Sequence, residues 1–305
     1  MLFDFDPIRH VRQRRYLLMP HLSVTASQNE HPDPTLIEFQ ARAALAEDVG
    51  AGDLTASLLP ADRHGRAELI TREAAVLCGA PWFEAVFRVL APEIQIDWLA
   101  HDGEPLTPGQ RLCVLDGSAR ALLTGERTAM NYVQTLSGTA TLARRYADAV
   151  ADLPVRVLDT RKTVPGLRWQ QKYAVRCGGC QNHRFGLFDV ILIKENHILA
   201  AGSIPAALEA ARMLHPCVPV EIEVESLDEL ELALDAGAPV VLLDNFALDA
   251  LRQAVAITAG RAQLEASGGI SLETIRAVAE TGVDRISVGA LTKDVRAVDL
   301  SMRLV

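Results

Sequence analysis

The feature that most constrains the fold is a regular alternation of short apolar runs and helical segments in the second half of the chain. The runs are brief, continuous and rich in β-branched residues, which is typical of buried strands. Each strand-helix unit takes roughly 20–35 residues, a spacing that predicts right-handed crossovers and parallel strands. We predict strands at 155–158, 190–193, 220–224, 240–243, 262–265 and 285–288, and helices at 166–175, 203–214, 227–236, 247–258 and 272–281.

Two architectures fit this alternation, an open doubly wound sheet and a closed barrel. Polar or glycine residues follow every predicted strand. In an open sheet they would be expected at the single point where the strand order reverses, so this distribution favours the barrel. The carboxyl ends of barrel strands meet on one face, where active sites lie, so we expect these residues to converge. The residues in question are Arg161, Lys162, Lys194, Glu223, Asp244, Ser267, Gly268, Gly269 and Gly289.

The first half of the chain predicts a separate α/β domain at 34–136, followed by the barrel domain at 137–305. Helices are predicted at 34–48 and 82–90, short strands at 67–71, 75–78, 94–99 and 111–115, and two helices over 119–150 that break near Ser137 and Gly138. This domain holds no compact catalytic constellation, so we expect it to support or cover a site. The last ~15 residues are expected to pack back on it. Residues 1–33 form an extension, either a targeting peptide or, as Asp4 and Asp6 favour, a tail.

The bulk composition excludes several classes of protein. No apolar run approaches the roughly 18 residues needed to cross a bilayer, so we expect a soluble protein. The net charge of -9 argues against a general nucleic-acid binder but allows a local cationic pocket for a small anion. Five cysteines, an odd number, and no obvious signal peptide predict a cytoplasmic protein. The Cys177–Cys180 pair allows a redox or metal site, although the absence of a second such pair favours a structural role.

Clustered cations are the strongest functional signal. Arg161, Lys162, Arg184 and Lys194 are predicted to line one mouth; Arg168 and Lys172 are further candidates or a solvated basic stripe. Two like charges about 4 Å apart repel by about 4 kcal/mol at an effective dielectric near 20, so such a cluster predicts anionic ligands. Arginine suits carboxylates and lysine suits phosphates. His183 either donates to a carboxylate or is structural.

Acidic and glycine residues at the other strand ends predict a phosphate and a cation. Glu223 and Asp244 either bind Mg²⁺ and ribose hydroxyls or are neutralised by neighbouring lysines. Glu221, Glu223 and Glu225 share one strand face, so spacing alone does not choose among them. Ser267-Gly268-Gly269 and Gly289 allow backbone N–H groups to approach a phosphate.

These residues lie in motifs that resemble the quinolinate phosphoribosyltransferase family, also called nicotinate-nucleotide pyrophosphorylase (carboxylating). The motifs are EDVGAGDLT, GERTAMN, DTRKTVPGLR, KYAV, GGCQNHR, LIKENHI, IEVES, LLDNF, ASGGI and TGVDRISVGALT, in order from about Glu47 to Thr292. The resemblance implies a type II phosphoribosyltransferase, with an N-terminal α/β sandwich and an incomplete C-terminal α/β barrel. It also implies a homodimer, or an assembly of dimers, in which each barrel mouth is covered by the partner's N-terminal domain.

The resemblance further implies a role for each site residue. The substrates are quinolinate and phosphoribosyl pyrophosphate, and the residues expected to act on them directly are Lys162, Lys194, Glu223 and Asp244. Arg127, reaching across the dimer interface, would hold the quinolinate carboxylates with Arg161, Lys172, His183 and Arg184. Lys162 and Lys194 would face pyrophosphate and ribose. Glu223 and Asp244 would face the ribose and, directly or indirectly, Mg²⁺. The 5′-phosphate would be bound by Ser267, Gly268, Gly269 and Gly289, with Thr160, Val288 and Ala290 beside them.

The implied reaction transfers phosphoribosyl to quinolinate with loss of CO₂, a step in making NAD. Three alternatives remain open: a related phosphoribosyltransferase acting on another acid, a phosphate-binding barrel lyase or isomerase, and a non-enzymatic binding module. One departure from the family pattern is visible, because the third residue of its usual Gly-Gly-Gly is Cys180 here. If that position requires a positive φ, we expect a strained loop costing ~1 kcal/mol or more.

Overall fold

The computed structural model describes residues 32–305. The predicted N-terminal extension therefore lies outside the described residues, apart from its last two positions. The first described helix, α1 (Pro34–Val49), has both signals of a helix start. Asp33 caps it by accepting a hydrogen bond from the Thr35 N–H at 2.8 Å, and Pro34 occupies the first turn, where its missing N–H costs nothing.

The N-terminal domain is an antiparallel sheet covered by helices. A four-stranded sheet has the order β12-β1-β5-β3, and β2 and β4 form a separate two-stranded pair. After α1 and a 3₁₀ turn, the elements are β1 (His64–Thr71), β2 (Ala75–Val76), α2 (Ala80–Leu90), β3 (Gln95–Trp98), β4 (Pro105–Leu106) and β5 (Arg111–Ser118). The predicted strands all exist, with ends displaced by a few residues, and the short β4 was not predicted.

Large apolar side chains on α2 anchor this domain. Trp82, Phe83 and Phe87 are almost fully buried. The indole N–H of Trp82, the one polar group among these three side chains, donates to Gln40 of α1 at 2.7 Å. Burying the ring therefore leaves no unpaired donor, and α1 is fixed on α2 by the same contact.

The segment predicted as two helices is one. Helix α3 (Ala119–Ala149) runs unbroken for 31 residues, so the predicted break near Ser137 and Gly138 is wrong. Ser137 accepts a hydrogen bond from the Cys78 N–H at 2.9 Å, and a side chain at Gly138 would overlap the Arg296 carbonyl oxygen. Both small residues allow other segments to approach the helix closely, and this tertiary role outweighs their weak helix propensity.

The C-terminal domain contains a six-stranded parallel sheet of order β6-β11-β10-β9-β8-β7. Its elements are β6 (Arg156–Leu158), α4 (Arg168–Cys177), β7 (Ile191–Ile193), α5 (Glu195–Ala201), α6 (Ile204–Leu214), β8 (Val220–Val224), α7 (Leu227–Asp235), β9 (Val240–Asp244), α8 (Leu248–Thr258), β10 (Gln263–Ser267), α9 (Ile275–Ala279), β11 (Arg285–Ser287) and α10 (Ala290–Lys293), and the chain ends with β12 (Leu300–Leu304) of the N-terminal sheet. The predicted alternation is confirmed. Helices α5 and α10 were not predicted, and α9 is half the predicted length.

The sheet curves as an incomplete barrel does. Glu221 of β8 and Glu265 of β10 come from strands separated by β9, yet both contact His183. Side chains of alternate strands meet in one layer when a sheet wraps around an interior. Among the described residues no ladder joins β6 to β7, so the sheet stays open there.

The last strand belongs to the first domain. Strand β12 pairs antiparallel with β1 from Ala67↔Leu304 to Thr71↔Leu300. Its buried residues Leu300 and Met302 join the hydrophobic core of the N-terminal domain. Helix α3 contributes residues to both cores, so the two domains share one long helix and one returning strand. None of the described helices is long and apolar enough to cross a membrane.

Candidate active site

The predicted strand-end residues converge on one edge of the parallel sheet. Register partners bring Asp244 at the end of β9 beside Ser267 at the end of β10. Lys194 follows β7 and Glu223 lies near the end of β8, and their side chains form an ion pair. The Lys194 side chain is 44% exposed and that of Glu223 only 14%, so the pair stands at the boundary between the interior and solvent.

Lys162 lies across the end of β11. A Cβ atom added to Gly289 would sit 3.0 Å from Lys162 Cδ and 3.7 Å from its Nζ, so glycine leaves room for the lysine to lie close to this backbone. The Thr160 hydroxyl accepts from the Lys162 N–H at 3.1 Å, and Thr292 donates to the Lys162 carbonyl at 2.8 Å. The backbone around Lys162 is thus held from two sides.

The glycine pair after β10 has the backbone freedom that its prediction required. Gly268 and Gly269 have φ values of +98° and +60°, a region that residues with a side chain rarely adopt. A side chain at Gly268 would overlap the Asn245 amide, whereas no atom lies within 4 Å of the position where Gly269 would carry one. The Gly269 backbone is therefore open to a ligand.

Asp159 organises the loop that carries His183 and Arg184. This fully buried carboxylate accepts from the Asn182 side-chain amide at 2.6 Å and from the His183 N–H at 2.9 Å. It also forms an ion pair with Lys172 of α4. Burial raises the pKa of Asp159, and Lys172 followed by these hydrogen bonds opposes that shift. Asp159 connects β6, α4 and the loop in one network.

The position of Lys172 corrects its predicted role. Lys172 is 1% exposed, and its ammonium donates to Asp159 and, at 3.0 Å, to the His183 carbonyl. Burial lowers the pKa of Lys172, and Asp159 opposes that shift. The ammonium is thus fixed beneath the loop rather than in the mouth, and neither a substrate contact nor a solvated stripe describes it.

His183 is held from both sides of its ring. Nδ1 accepts from the Arg184 N–H at 2.7 Å, while Nε2 lies 3.0 Å from Glu221 Oε2 and 3.4 Å from Glu265 Oε1. Burial acts to lower the pKa of His183, but the neighbouring Glu221 and Glu265 carboxylates outweigh it and raise the pKa. The hydrogen bond from the Arg184 N–H disfavours a proton on Nδ1, because this nitrogen can accept a hydrogen bond only while it is unprotonated. Nε2 therefore carries the proton in this arrangement.

Arg161 and Arg184 bring two like charges together. Burial lowers the pKa of Arg184, and the nearby Arg161 lowers it further. Arg184 donates to the Val190 carbonyl at 3.2 Å, whereas the Arg161 guanidinium has no hydrogen-bond or ion-pair partner among residues 32–305. The Arg168 guanidinium has a structural role, because it donates to the carbonyls of Arg161 and Phe185 and to the Thr163 hydroxyl.

Some predicted site residues do not join the cluster of strand-end residues within a single chain. Arg127 lies exposed on α3, with no ion pair to any described residue. The Val288 N–H donates to the Leu158 carbonyl of β6 at 2.9 Å, so it is not available for the phosphate contact predicted for it. Ala290 begins α10 and remains partly exposed.

Sequence reasoning missed Asp159, Asn182 and Glu265 as parts of the site. Glu265 is 0% exposed within β10, and both of its oxygens lack a hydrogen-bond partner in the described part of the chain. A charged residue between Leu264 and Ala266 in a predicted buried strand was the available signal. Among the three candidate glutamates, Glu221 on β8 is buried against His183, Glu223 on β8 pairs with Lys194, and Glu225, just after β8, is exposed.

The expected strain at Cys180 is absent. Only Asn245 and Ala259 have positive φ among the described non-glycine residues, so Cys180 does not occupy the left-handed region. Its buried thiol donates to the Ala143 carbonyl at 3.2 Å. A side chain is thus accommodated at this position of the loop.

Two family models match consecutive parts of the chain. The N-terminal domain model of quinolinate phosphoribosyl transferase matches residues 53–137, and the C-terminal domain model matches residues 139–303. Together they span most of the described residues and meet within α3.

Known proteins similar to this chain carry related names. It is 42% identical over 257 residues to a probable nicotinate-nucleotide pyrophosphorylase [carboxylating] of Bacillus subtilis, covering 84% of this chain and 89% of that protein. It is also 42% identical over 273 residues to the nicotinate-nucleotide pyrophosphorylase [carboxylating] of Mycobacterium leprae, covering 86% and 95%. The solved structure of the nicotinate-nucleotide pyrophosphorylase from Francisella tularensis matches with a TM-score of 0.88 and 45% identity, covering 90% of this chain and 98% of that one.

Proposed function

Because the chain belongs to the quinolinate phosphoribosyltransferase family, we propose that it transfers phosphoribosyl from phosphoribosyl pyrophosphate to quinolinate and releases CO₂. The products are nicotinate mononucleotide, pyrophosphate and CO₂, and the reaction belongs to NAD biosynthesis. The observation that carries this proposal is the meeting of cations, acids and open glycine backbone at one sheet edge. A diacid and a phosphorylated sugar together require all three.

The diacid is held by the arginines of the mouth. Arg161 and Arg184 repel each other and favour a dianion between them, and each guanidinium can grip a carboxylate with parallel hydrogen bonds. His183 positions this pair, since its ring is fixed by Glu221 and its main chain by Asp159. Arg127 completes the pocket from the partner subunit in a homodimer.

The phosphorylated sugar lies along the ends of β7 to β11. Lys162 and Lys194 face its pyrophosphate, and the Ser267–Gly269 backbone receives its 5′-phosphate. The exposed ammonium of Lys194 can leave Glu223 for a phosphate oxygen, because an ion pair at the edge of solvent contributes little stability. Glu223 and Asp244 then face the ribose.

The donor set fits a bound Mg²⁺ that substrate completes. Glu223 and Asp244 offer hard carboxylate oxygens, and neither belongs to a cluster of three or more metal-binding side chains among residues 32–305. Mg²⁺ in proteins is commonly held by one or two carboxylates plus phosphates and water. When bound, Mg²⁺ would stabilise the negative charge of the departing pyrophosphate.

The chemistry needs positioning more than acid-base catalysis. The pyridine nitrogen attacks the anomeric carbon as the bond to pyrophosphate breaks, and positive charge develops on the sugar near Glu223 and Asp244. The N-ribosylated ring is cationic, so the carboxylate beside the nitrogen leaves as CO₂ and the ring charge stabilises the resulting carbanion. A proton from solvent then replaces the lost carboxylate. The protein holds two anions together and offsets their repulsion.

The remaining properties follow from the same proposal. We place the enzyme in the cytoplasm, because its five cysteines are all free thiols, which suits a reducing compartment. A homodimer, or an assembly of dimers, is required if Arg127 is to reach a neighbouring mouth.

The decisive experiment compares two acids with one purified protein. Quinolinate, phosphoribosyl pyrophosphate and Mg²⁺ should yield CO₂ and nicotinate mononucleotide, and chelation with EDTA should abolish turnover until Mg²⁺ is restored. Nicotinate lacks the second carboxylate and should be a poor substrate. Equal turnover of nicotinate would contradict the two-carboxylate pocket.

A single substitution tests the pocket itself. Arg161→Ala removes two charge-assisted hydrogen bonds, worth about 3 kcal/mol together, and should lower kcat/KM for quinolinate about 100-fold. Arg252→Ala is the matched control, because Arg252 lies on the exposed side of α8 and, of the residues that the structure describes, pairs only with Asp249. If both variants keep full activity, Arg161 does not bind the substrate.

A further inference from the structure

Two cysteines from different domains meet beneath the site. Cys78 follows β2 in the N-terminal domain, and Cys177 is the last residue of α4 in the C-terminal domain. Their sulfur atoms lie within 4.8 Å of each other and of an Asp102 carboxylate oxygen. The contact joins positions 99 residues apart in the chain.

This contact replaces the pairing that the sequence suggested. Cys177 and Cys180 are three residues apart, but the Cys180 thiol is turned toward the Ala143 carbonyl of α3. Cys177 instead faces Cys78, which is fully buried. The neighbouring thiol that matters is therefore distant in sequence.

The geometry favours sulfur chemistry over metal binding. The Asp102 carboxylate accepts three hydrogen bonds, from the Gly79 N–H at 3.0 Å, the Ala80 N–H at 3.2 Å and the Tyr173 hydroxyl at 2.9 Å. It thereby caps α2 and ties it to α4. A metal would have to break this arrangement to gain its third ligand, leaving buried donors unpaired.

The two thiols are unequal in a way that suits stepwise oxidation. Cys177 is partly exposed, and the hydrogen bond from Cys78 lowers the pKa of its thiol. Burial raises the pKa of Cys78. A partly exposed thiol of lowered pKa with a buried thiol beside it matches an attacking and a resolving cysteine.

We propose that Cys78 and Cys177 form a reversible disulfide between the two domains when the protein meets hydrogen peroxide. The Cys177 thiolate attacks the peroxide oxygen, the O–O bond breaks, and a sulfenic acid and hydroxide result. The Cys78 sulfur then attacks the Cys177 sulfur, the S–O bond breaks, and the Cys78 proton leaves with the hydroxyl group as water. Two thiols are oxidised and one peroxide is reduced to two waters. A dithiol reductant reverses the bond.

The location gives this bond a structural consequence. Helix α4 carries Lys172 one turn before Cys177, and the chain after Cys177 leads directly to Asn182 and His183. A covalent link to Cys78 fixes the end of α4 against the N-terminal domain. The disulfide thus constrains the helix and loop that form one wall of the mouth.

The test uses the full chain with Cys217→Ser as background, because Cys217 is an exposed thiol that would form bonds between molecules. Hydrogen peroxide is added to the folded protein, remaining thiols are alkylated, and the digest is analysed by mass spectrometry. We expect one peptide pair that joins Cys78 to Cys177 with the loss of two hydrogen atoms and that dithiothreitol separates. The oxidised protein should have a thermal midpoint higher by roughly 5 °C, because the crosslink restricts the unfolded chain.

Two variants keep the experiment decisive. Cys177→Ser, at a partly exposed position, should abolish both the peptide pair and the thermal shift, and Cys78→Ala should do the same. Cys180→Ser is the matched control and should leave both unchanged. Recovery of Cys78 and Cys177 in alkylated form after peroxide treatment, or a crosslink from Cys177 to Cys180, would overturn the proposal.

Discussion

Buried and exposed charges have different tasks in this molecule. Lys172 and Asp159 have almost no exposed side-chain surface, and each is satisfied by the other and by the loop backbone. Arg161 and Lys162 reach the mouth with no ion pair to the described residues. The sequence placed Arg161 and Lys162 in the mouth but left Lys172 open between a further mouth residue and a solvated stripe, because residue type does not reveal which partner a folded chain supplies.

Removing the buried ammonium should destabilise the fold. Lys172→Met keeps most of the side-chain volume but leaves the Asp159 carboxylate buried without its charge partner, and we expect a loss of about 3 kcal/mol in the free energy of unfolding. Burial raises the pKa of Asp159 in the folded protein. A group with a raised folded pKa loses stability as pH rises through that value, so the defect should be larger near pH 8 than near pH 5.

Urea unfolding of Lys172→Met at both pH values provides the measurement. Lys293→Met serves as the control, since this exposed lysine makes only a 3.7 Å pair with Asp294 within residues 32–305, and its loss should change stability by less than about 0.5 kcal/mol. A Lys172→Met protein of unchanged stability but weakened quinolinate binding would restore the original prediction of a substrate contact.

At the scale of elements, α3 shows how packing overrides propensity. Gly138→Ala should raise helix propensity, yet the added methyl group would overlap the Arg296 carbonyl on the segment leading to β12. We expect the clash to dominate and to lower the free energy of unfolding by about 2 kcal/mol. Thermal or urea unfolding measures the change.

A second alanine on the same helix separates the two effects. Asn131 is exposed on α3, so Asn131→Ala gains propensity without a clash and should be neutral or slightly stabilising. If Gly138→Ala is also neutral or stabilising, the close approach of the Arg296 backbone does not limit this helix.

The helices and strands that could be predicted are those whose pattern of apolar and polar residues depends only on neighbouring positions in the sequence. Periodicity located the parallel strands because each buried run is short, apolar and bounded by turns. The break assigned at Ser137 and Gly138 failed because the partners that make small residues favourable there, Cys78 and Arg296, are distant in sequence. Helix α5 was missed because its sequence, ENHILAA, contains no fully buried residue and so lacks an amphipathic pattern.

At the scale of the whole molecule, the sequence predicted the residues at the mouth but not the buried residues that hold them in place. Strand-end residues such as Lys194, Glu223 and Asp244 were predictable because parallel strands must end at one edge. Asp159 and Glu265 were not, because their importance depends on meeting His183 through a folded interior. The return of the last residues to the N-terminal domain was expected, but the pairing of β12 with β1 was not, because local patterns do not encode contacts between strands so far apart in sequence.

The last prediction concerns Arg127 and its proposed role in the mouth of a neighbouring subunit. If this arginine acts in the neighbouring mouth, Arg127→Ala and Arg161→Ala should each be nearly inactive alone. A symmetric dimer carrying one copy of each substitution keeps one intact mouth, formed by Arg161 of the first variant and Arg127 of the second.

Two differently tagged variants, expressed together, give that test. Random assembly makes half of the dimers mixed, each with one active site of two, so the mixture should recover about a quarter of wild-type activity per chain. Purification through both tags should raise this value to about a half, since every remaining dimer is then mixed. An arginine that acts within its own subunit would leave every site of a mixed dimer damaged, because one mouth would lack Arg127 and the other Arg161. Activity no higher than the sum of the two single variants would therefore contradict the shared site, and with it the dimer as the functional unit.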